Sequence, residues 1–331
     1  MHKDVQILLL GAGSIGERHI RNLWHLGYKN ITVYRQRNLP FRDIGEAKVA
    51  VCTNWSEIEK QKFFAAFICT PTSLHAAQAI ACLQLGMHVF VEKPLAHNLE
   101  KFNALEAELR KEQRYFHVGY MLHFHPFLRG VFQYIADGTF GKLRLFETTW
   151  HSYLPDWHPW EDYKMSYAAR KELGGGAALT LCHDVDLMLW MCGAVKQYQA
   201  TFLYDRELDL KVDTGAVIQL EFASAKGACH ISFSAKQEKR LYSFVFDDAS
   251  VEINYLQSEM RINKGGAIAI QALPSFKRNE LFISEVQDFF SRIGKSNYTT
   301  ADAINTLEKE KTLISICNPE IYSQYKQMVM L

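Results

Sequence analysis

The feature that most constrains this chain is a glycine-rich turn between an apolar strand and a helix near its N-terminus. An apolar run over residues 6–10 leads into Gly11, Gly13 and Gly16, with the spacing GxGxxG, and a helix is predicted after them. In a dinucleotide-binding fold the first glycine permits a tight turn, the second lets the backbone approach a pyrophosphate, and the third lets helix and strand pack closely. The free amides at the start of the helix would face the phosphates. The predicted dinucleotide contacts are Gly11, Gly13, Ser14, Ile15 and Gly16.

Two arginines follow the second predicted strand, which covers residues 31–34. Arg35 and Arg37 stand where an NAD-specific site usually has Asp or Glu to accept hydrogen bonds from the ribose hydroxyls. A guanidinium pairs with phosphate through a fork of donors, so the two arginines suit a 2′-phosphate. This pattern favours NADP over NAD, and the alternative without a function is a solvated basic turn.

A charged pair and a proline end another short apolar strand, over residues 87–91, in the sequence Glu92-Lys93-Pro94. The carboxyl ends of parallel strands face the ligand crevice, so Lys93 could reach a pocket lined by the cofactor. A lysine pKa of about 10.4 is too high for a good base near neutral pH, but burial and an oxidised nicotinamide would lower it. We predict that Lys93 is an acid/base residue and that Glu92 orients nearby groups at the cofactor. The alternative is a solvated lysine beside a surface carboxylate.

Three further cofactor contacts are predicted after the fourth strand, at residues 63–69. Thr70 and Pro71 come directly after this strand, where the nicotinamide half of a dinucleotide would lie. His75 stands in the first turn of the following helix, and its alternative is a surface histidine.

The order of elements predicts two domains in an α/β protein. Six strands that alternate with helices indicate a Rossmann-type, doubly wound parallel sheet over residues 1–120. Residues 121–331 then show short strands with alternating polarity, which indicate an α+β domain with a large, mostly antiparallel open sheet. The exposed face of such a sheet usually needs covering, so a homodimer or homotetramer is expected.

The totals exclude several classes of function. The formal net charge of +1 gives no electrostatic reason to expect binding to nucleic acid or to an anionic membrane. No apolar run approaches the ~18 residues of a spanning helix, and the first residues do not resemble a signal peptide. The seven cysteines are scattered without a CxxC pair, which indicates a reducing cytoplasm and predicts no metal site.

Taken in order, the glycine turn, Thr70-Pro71, Glu92-Lys93-Pro94 and a later segment with three glycines and His183 resemble the glucose–fructose oxidoreductase / inositol dehydrogenase / MocA family. The resemblance covers nearly the whole chain. It implies an NAD(P)-dependent oxidoreductase that acts on CH–OH groups of sugars, sugar nucleotides or similar polyols. It also implies that Lys93 is the catalytic lysine and His183 its partner, and that a closing helix at about 301–316 packs back on the first domain. Residues 154–176 resemble a branch associated with bacterial surface-sugar pathways.

The second domain supplies the predicted substrate contacts. His183 falls in an apolar segment, residues 177–191, which predicts one helix with Thr180 and His183 on the same face and with Asp184 and Asp186 as groups that could orient the histidine. The alternative is that His183 is a hydrogen-bonded histidine of the core without a catalytic role. Aromatic residues before the three glycines would suit the apolar face of a sugar ring, and their alternative is packing of a long loop onto the sheet or a partner subunit. The predicted substrate contacts are Tyr120, Trp157, Trp160, Tyr163, Arg170, Thr180 and His183.

Two positions depart from the family's common pattern. Thr180 stands where many members have Asp, and Met121 stands where many have Asn. Both positions normally contact substrate or cofactor in the family. These departures leave two alternatives open: a non-catalytic nucleotide- or sugar-binding regulatory protein, and a reductase of a non-sugar substrate.

Overall fold

The computed structural model describes residues 3–36, 40–45, 49–295 and 298–329. Contacts between Cα atoms divide the chain into two units, one of residues 1–121 with 278–311 and one of residues 122–277 with 312–331. The sequence-based division assigned residues 121–331 to the second domain, whereas the contacts group residue 121 and residues 278–311 with the first unit.

The first unit contains a six-stranded parallel sheet with the strand order β3-β2-β1-β4-β5-β6. Its inner strands are continuous runs of buried apolar residues because helices cover both faces of such a sheet. The predicted doubly wound parallel sheet is confirmed. The strands are β1 (Ile7–Leu10), β2 (Ile31–Tyr34), β3 (Ala50–Cys52), β4 (Ala65–Ile68), β5 (His88–Glu92) and β6 (Phe116–Gly119).

Helices that follow these strands complete the unit, together with one helix from much later in the chain. The early helices are α1 (Ser14–His25), α2 (Trp55–Ile58), α3 (Thr72–Gln84) and α4 (Phe102–Glu112). The later helix, α8, covers Asn279–Arg292 and places Phe289 against the sheet. The Phe289 ring centroid lies 5.4 Å from that of Phe67 and 5.7 Å from that of Phe90. This aromatic core explains why α8 groups with the first unit.

The second unit contains an eight-stranded sheet with the order β14-β13-β12-β11-β7-β10-β9-β8. Neighbouring strands are antiparallel except β7 and β10, which are parallel, so the predicted mostly antiparallel sheet is confirmed. The strands are β7 (Leu143–Tyr153), β8 (Gln197–Leu203), β9 (Gly215–Glu221), β10 (Lys226–Ser232), β11 (Ser234–Phe246), β12 (Ala249–Asn254), β13 (Glu259–Lys264) and β14 (Ala267–Ala272). The remaining helices are α5 (Pro126–Asp137), α6 (Ala177–Thr180), α7 (His183–Cys192), α9 (Thr300–Cys317) and α10 (Pro319–Val329), and α9 runs through the division at residue 311.

The hairpin of β13 and β14 was missed in the sequence, although its signal is present. Gly265 and Gly266 connect the two strands with φ values of +59° and +84°. Positive φ at both central residues is what a two-residue hairpin turn requires, and a Gly-Gly pair between alternating residues predicts such a turn. Helix α10 was also missed.

The single helix predicted over residues 177–191 is wrong, because the segment breaks into α6 and α7. Leu181 closes α6 by donating its amide to the Ala177 carbonyl, and the hydrogen bonds of α7 begin when Asp186 donates to the Cys182 carbonyl. Thr180 and His183 therefore lie in different helices and do not share a helical face. Asp213 hydrogen-bonds to α6 and Tyr242 hydrogen-bonds to α7, and an apolar pattern does not indicate such separate partners.

Candidate active site

The glycine turn has the geometry that a bound pyrophosphate needs. Gly11 has φ +87° and donates its amide to the Tyr34 carbonyl at 3.0 Å. A Cβ atom at Gly16 would lie 2.1 Å from the Gly11 carbonyl oxygen, so only glycine lets α1 start this close to the turn. Gly13 is the N-cap of α1 and offers no side chain to its first amides, and a Cβ there would meet no atom within 4 Å. The turn thus fits the phosphates of a dinucleotide.

The other residues predicted around the dinucleotide lie at the edges of this turn. Ser14 is exposed and Ile15 is half-buried at the start of α1. Arg35 is half-buried, and its guanidinium lies 4.3 Å from the centroid of the Phe41 ring. Arg37 lies outside the described residues. Of the two arginines predicted to favour a 2′-phosphate, the structure thus describes Arg35 alone, and the preference stays a prediction.

His75 is buried, so its alternative as a surface histidine is wrong. Its Nε2 lies 2.7 Å from the carbonyl oxygen of Thr70, and its Nδ1 lies 2.9 Å from that of Pro94. Burial lowers the pKa of His75, against the effect of the two carbonyl oxygens. Pro71 is the N-cap of α3, between Thr70 and His75. His75 thereby connects the end of β4 with the segment directly after Lys93.

Glu92 is also buried, so its alternative as a surface carboxylate is wrong. His19 of α1 donates from Nε2 to Glu92 Oε1 at 2.7 Å, and the histidine ring is enclosed by aromatic rings that include Phe90. Burial raises the pKa of Glu92, but the hydrogen bond from His19 and the nearby positive charges outweigh it, so the pKa lies below its ordinary value. Sequence reasoning missed His19, because its position after the glycine turn does not indicate a partner 73 residues away.

Lys93 is half-buried at the carboxyl end of β5, and the peptide bond after it is cis. Glu310 of α9 is fully buried and accepts two hydrogen bonds at Oε2, from the Leu95 amide at 3.1 Å and from the Tyr120 hydroxyl at 3.1 Å. The backbone after Lys93 is therefore held by Glu310 as well as by His75. Glu310 was missed in the sequence, and Tyr120, predicted to contact substrate, is buried with its hydroxyl on this carboxylate.

His183 and Thr180 are both buried in the second unit. His183 is the first residue of α7, and its ring lies 5.6 Å from that of Trp150 with 30° between the planes. Of the two aspartates predicted to orient it, Asp184 accepts from the Tyr242 hydroxyl at 3.2 Å, and Asp186 accepts from His123 Nε2 at 2.7 Å.

Asp213 holds the segment of three glycines, and sequence reasoning missed it. Its Oδ2 accepts from the Ala178 amide at 2.8 Å, and its carbonyl accepts from the Ala177 amide at 2.9 Å, so one residue caps the start of α6. A Cβ at Gly176 would lie 2.3 Å from Asp213 Oδ1, which explains the glycine there. Burial raises the pKa of Asp213 to about 7, against the effect of these amides.

The aromatic segment before the glycines consists largely of short 3₁₀ turns. Trp157 packs its edge on Phe233 with 5.2 Å between ring centroids, and Trp160 is 65% exposed. The Tyr163 hydroxyl donates to the Leu208 carbonyl at 3.2 Å. Arg170 forms an ion pair with Glu172 at 2.6 Å. The substrate contacts predicted for this segment stay predictions.

Among residues 3–36, 40–45, 49–295 and 298–329, no group of three or more His, Cys, Asp or Glu side chains could hold a metal ion. No helix in the same part of the chain is long and apolar enough to span a bilayer.

Two family models match the chain, one after the other. Residues 5–120 match the model of the oxidoreductase family with an NAD-binding Rossmann fold, GFO_IDH_MocA. Residues 128–254 match the model of the GFO/IDH/MocA C-terminal domain. The chain belongs to the Gfo/Idh/MocA family. The predicted family, fold class and assignment as an NAD(P)-dependent oxidoreductase are confirmed.

Three of the curated relatives of this chain are dehydrogenases. The chain is 25% identical over 238 residues to 4-carboxy-2-hydroxymuconate-6-semialdehyde dehydrogenase of Sphingobium sp., covering 66% of this chain and 72% of the relative. It is 30% identical over 146 residues to levoglucosan dehydrogenase of Pseudarthrobacter phenanthrenivorans, covering 43% and 37%. It is 27% identical to myo-inositol 2-dehydrogenase of Thermotoga maritima, covering 66% of each.

Solved structures of the family share the fold over almost the whole chain. Levoglucosan dehydrogenase in complex with NADH and levoglucosan matches with a TM-score of 0.78 at 18% identity, covering 95% of this chain and 97% of that one. A 3-ketoreductase from Actinomadura kijaniata in complex with TDP-benzene and NADP matches with a TM-score of 0.78 at 16% identity, with the same coverage.

Proposed function

We propose that this Gfo/Idh/MocA protein transfers a hydride between a nicotinamide cofactor and a hydroxyl or keto carbon of a sugar or sugar nucleotide. The observation that carries the proposal is the fixed backbone around Lys93. Glu92 before it is paired with His19, and the two residues after it are bonded to His75 and Glu310. This arrangement supports a lysine whose position matters for chemistry. The relatives that act on levoglucosan and myo-inositol support a polyhydroxylated substrate.

The proposed reaction needs a group that handles the hydroxyl proton. A dinucleotide held at the turn of Gly11, Gly13 and Gly16 would supply the hydride acceptor in the oxidative direction and the hydride donor in the reductive direction. Lys93 takes the proton from the carbinol hydroxyl as the carbonyl forms, and it returns the proton in the reverse reaction. His183 acts as its partner, by donating a hydrogen bond to the reacting oxygen or by relaying the proton.

Replacing Lys93 tests the proposal. Wild type is first assayed against levoglucosan, myo-inositol, UDP-N-acetylglucosamine and TDP-sugars with NADP(H) and with NAD(H), and formation or consumption of the reduced cofactor is followed by its absorbance. Lys93→Met should then abolish turnover of every compound that wild type converts. Its affinity for the reduced cofactor, measured by the fluorescence of the cofactor, should stay within a few-fold of wild type. Lys111→Met is the matched control, since Lys111 is an exposed lysine of the same unit, and it should keep full activity. Unchanged turnover in Lys93→Met would defeat the assignment.

Two other candidate functions are favoured by Thr180 and Met121, which replace residues that commonly contact substrate or cofactor in the family. A regulatory protein of this fold would bind cofactor tightly and transfer no hydride to any member of the sugar panel. A reductase of a non-sugar substrate would also bind cofactor but would turn over a carbonyl compound outside the panel. The dehydrogenase of a muconate semialdehyde among the relatives makes such compounds the second panel to assay.

For the cofactor, we propose a preference for NADP. The support is the half-buried Arg35 on Phe41, the second arginine two residues later, and the absence of an acidic residue between Tyr34 and Phe41 in the sequence. The test compares dissociation constants for NADPH and NADH in wild type and in Arg35→Ala. The variant should lose affinity for NADPH and keep its affinity for NADH, and equal losses would contradict the preference.

We also propose a homodimer or homotetramer in the cytoplasm. The eight-stranded sheet carries exposed apolar residues, and Ile268 and Ile270 on the edge strand β14 are 57% and 56% exposed. Exposed apolar side chains on an edge strand favour a covering partner. The seven free cysteines are consistent with a reducing compartment. Light scattering after gel filtration gives the subunit count, and a monomer at micromolar concentration would refute the oligomer.

A further inference from the structure

A buried arginine lies within the second unit, on the same face of the large sheet as Trp150, the residue on which the His183 ring is stacked. Arg240 of β11 is the direct register partner of Trp150 on β7, and its guanidinium carbon lies 3.7 Å from the Trp150 ring centroid. The guanidinium carbon also lies 4.1 Å from the ring centroid of Tyr255, which follows β12. The Tyr255 amide also donates to the Arg240 carbonyl at 3.0 Å. Two aromatic rings therefore hold the guanidinium by cation–π contact.

The first two residues of α7 both rest on groups that contact this arginine. The His183 ring is stacked on Trp150, whose ring also contacts Arg240. Asp184 reaches the arginine through a hydroxyl: Arg240 Nε donates to the Tyr242 oxygen at 3.0 Å, and the Tyr242 hydroxyl donates to Asp184 Oδ1 at 3.2 Å. Arg240 is thus linked to His183 through the Trp150 ring, and to Asp184 through two hydrogen bonds that meet at the Tyr242 hydroxyl.

The buried charges of this arrangement make it a poor source of folding stability. Arg240 and Asp184 are both buried, and burial raises the pKa of Asp184 to about 6, against the effects of Arg240, Thr148 and Tyr242. Buried charges lose their hydration, and a buried charged network is often no more stabilising than apolar packing of the same volume. The hydrogen bonds and ring contacts of such a network can instead hold one local geometry. Here the element with that fixed geometry is the first turn of α7, which begins at His183.

We propose that Arg240 is a positioning residue for His183, acting through the Trp150 ring and through the Tyr242–Asp184 hydrogen bonds. The inference rests on the proposed role of His183 as the partner of Lys93. Arg240 does not touch the reacting groups in this scheme. It keeps the imidazole in the one orientation from which a proton can be passed.

Tyr242→Phe is the sharpest test, because it removes one hydroxyl and keeps the shape of the ring. The variant should fold, bind reduced cofactor within twofold of wild type, and lower kcat about tenfold with KM changed less than threefold, as expected for a misplaced catalytic group. Arg240→Met should lower kcat further, and Arg240→Lys, which restores the charge without the planar fork, should fall between. Arg261→Met is the matched control on the exposed side of β13 and should behave as wild type.

A second measurement is independent of turnover. The ring signals of His183 in a spectrum of protein with labelled histidine are assigned by their loss in His183→Asn. In wild type they should be displaced by the Trp150 ring, and in Tyr242→Phe and Arg240→Met they should move toward the position of an exposed histidine. Unmoved signals in both folded variants would overturn the positioning role, whatever the substrate.

The outcomes separate the inference from the proposed function. If His183→Asn loses turnover while folded Tyr242→Phe and Arg240→Met keep the wild-type kcat, the positioning role is refuted and the proposed function stands. If His183→Asn keeps full turnover, the assignment of His183 fails, and the role proposed for Arg240 fails with it. If Arg240→Met does not fold, Tyr242→Phe alone decides, by both kcat and the His183 signals.

Discussion

Replacing Glu92 by Gln should lower the free energy of unfolding by about 1–1.5 kcal/mol at pH 7. Glu92 is buried and accepts a 2.7 Å hydrogen bond from the fully buried His19. A hydrogen bond to a charged group contributes about 1.5–3 kcal/mol, and one between neutral groups about 0.5–1.5 kcal/mol. Glutamine keeps a carbonyl oxygen that can accept from His19, so the change removes the charge and keeps the contact. The difference between the two ranges is the expected loss.

The same loss should depend on pH in a defined direction. The pKa of Glu92 is lower in the folded chain than its ordinary value, so its stabilisation is fully present above about pH 4.3, the pKa of an unperturbed glutamate. The stabilisation disappears as the pH falls through the lower, folded pKa, because wild-type Glu92 then also carries a proton. The gap between wild type and Glu92→Gln should therefore close below about pH 4.3.

Urea unfolding followed by tryptophan fluorescence and by circular dichroism measures this gap between pH 7 and pH 3.5. Glu172→Gln is the control, since the pKa of Glu172 is also lowered, by its backbone amide and by Arg170, but its carboxylate is exposed. That variant should match wild type throughout. The reasoning is refuted if Glu92→Gln is as stable as wild type at pH 7, or if its deficit persists unchanged at the lowest pH.

Two further predictions concern the glycine turn and the cap of α6. Gly16→Ala should lower the free energy of unfolding by about 1–3 kcal/mol and weaken cofactor binding, because its Cβ would lie 2.1 Å from the Gly11 carbonyl oxygen. Gly130 in α5 has open space around it, so Gly130→Ala should be neutral or stabilising. Equal unfolding midpoints for the two variants would contradict this reasoning. Burial raises the pKa of Asp213 to about 7, so wild type should lose stability from about pH 4 to pH 7, where only the unfolded carboxyl is ionised. Asp213→Asn should show a flatter profile of unfolding free energy against pH, and parallel profiles would be the contrary result.

Local patterns in the sequence were enough to predict most of the framework. The apolar runs of β1, β4 and β5 predicted a parallel sheet, because strands buried on both faces must be apolar throughout. The spacing of the three glycines predicted the turn, because each requirement for glycine arises within a few residues of backbone. The same logic was available for the Gly265-Gly266 hairpin, whose signal was overlooked.

Only the tertiary structure decided what surrounds the residues predicted to be catalytic. The sequence left two readings of Glu92, an orienting group at the cofactor or a surface carboxylate, and the structure buries it against His19, 73 residues earlier. The Leu95 amide is bonded to Glu310, which is 215 residues away. No periodicity over a short window records which distant side chain satisfies a buried polar group. The break before His183 follows the same rule, because Asp213 and Tyr242 anchor its two helices from other strands and loops.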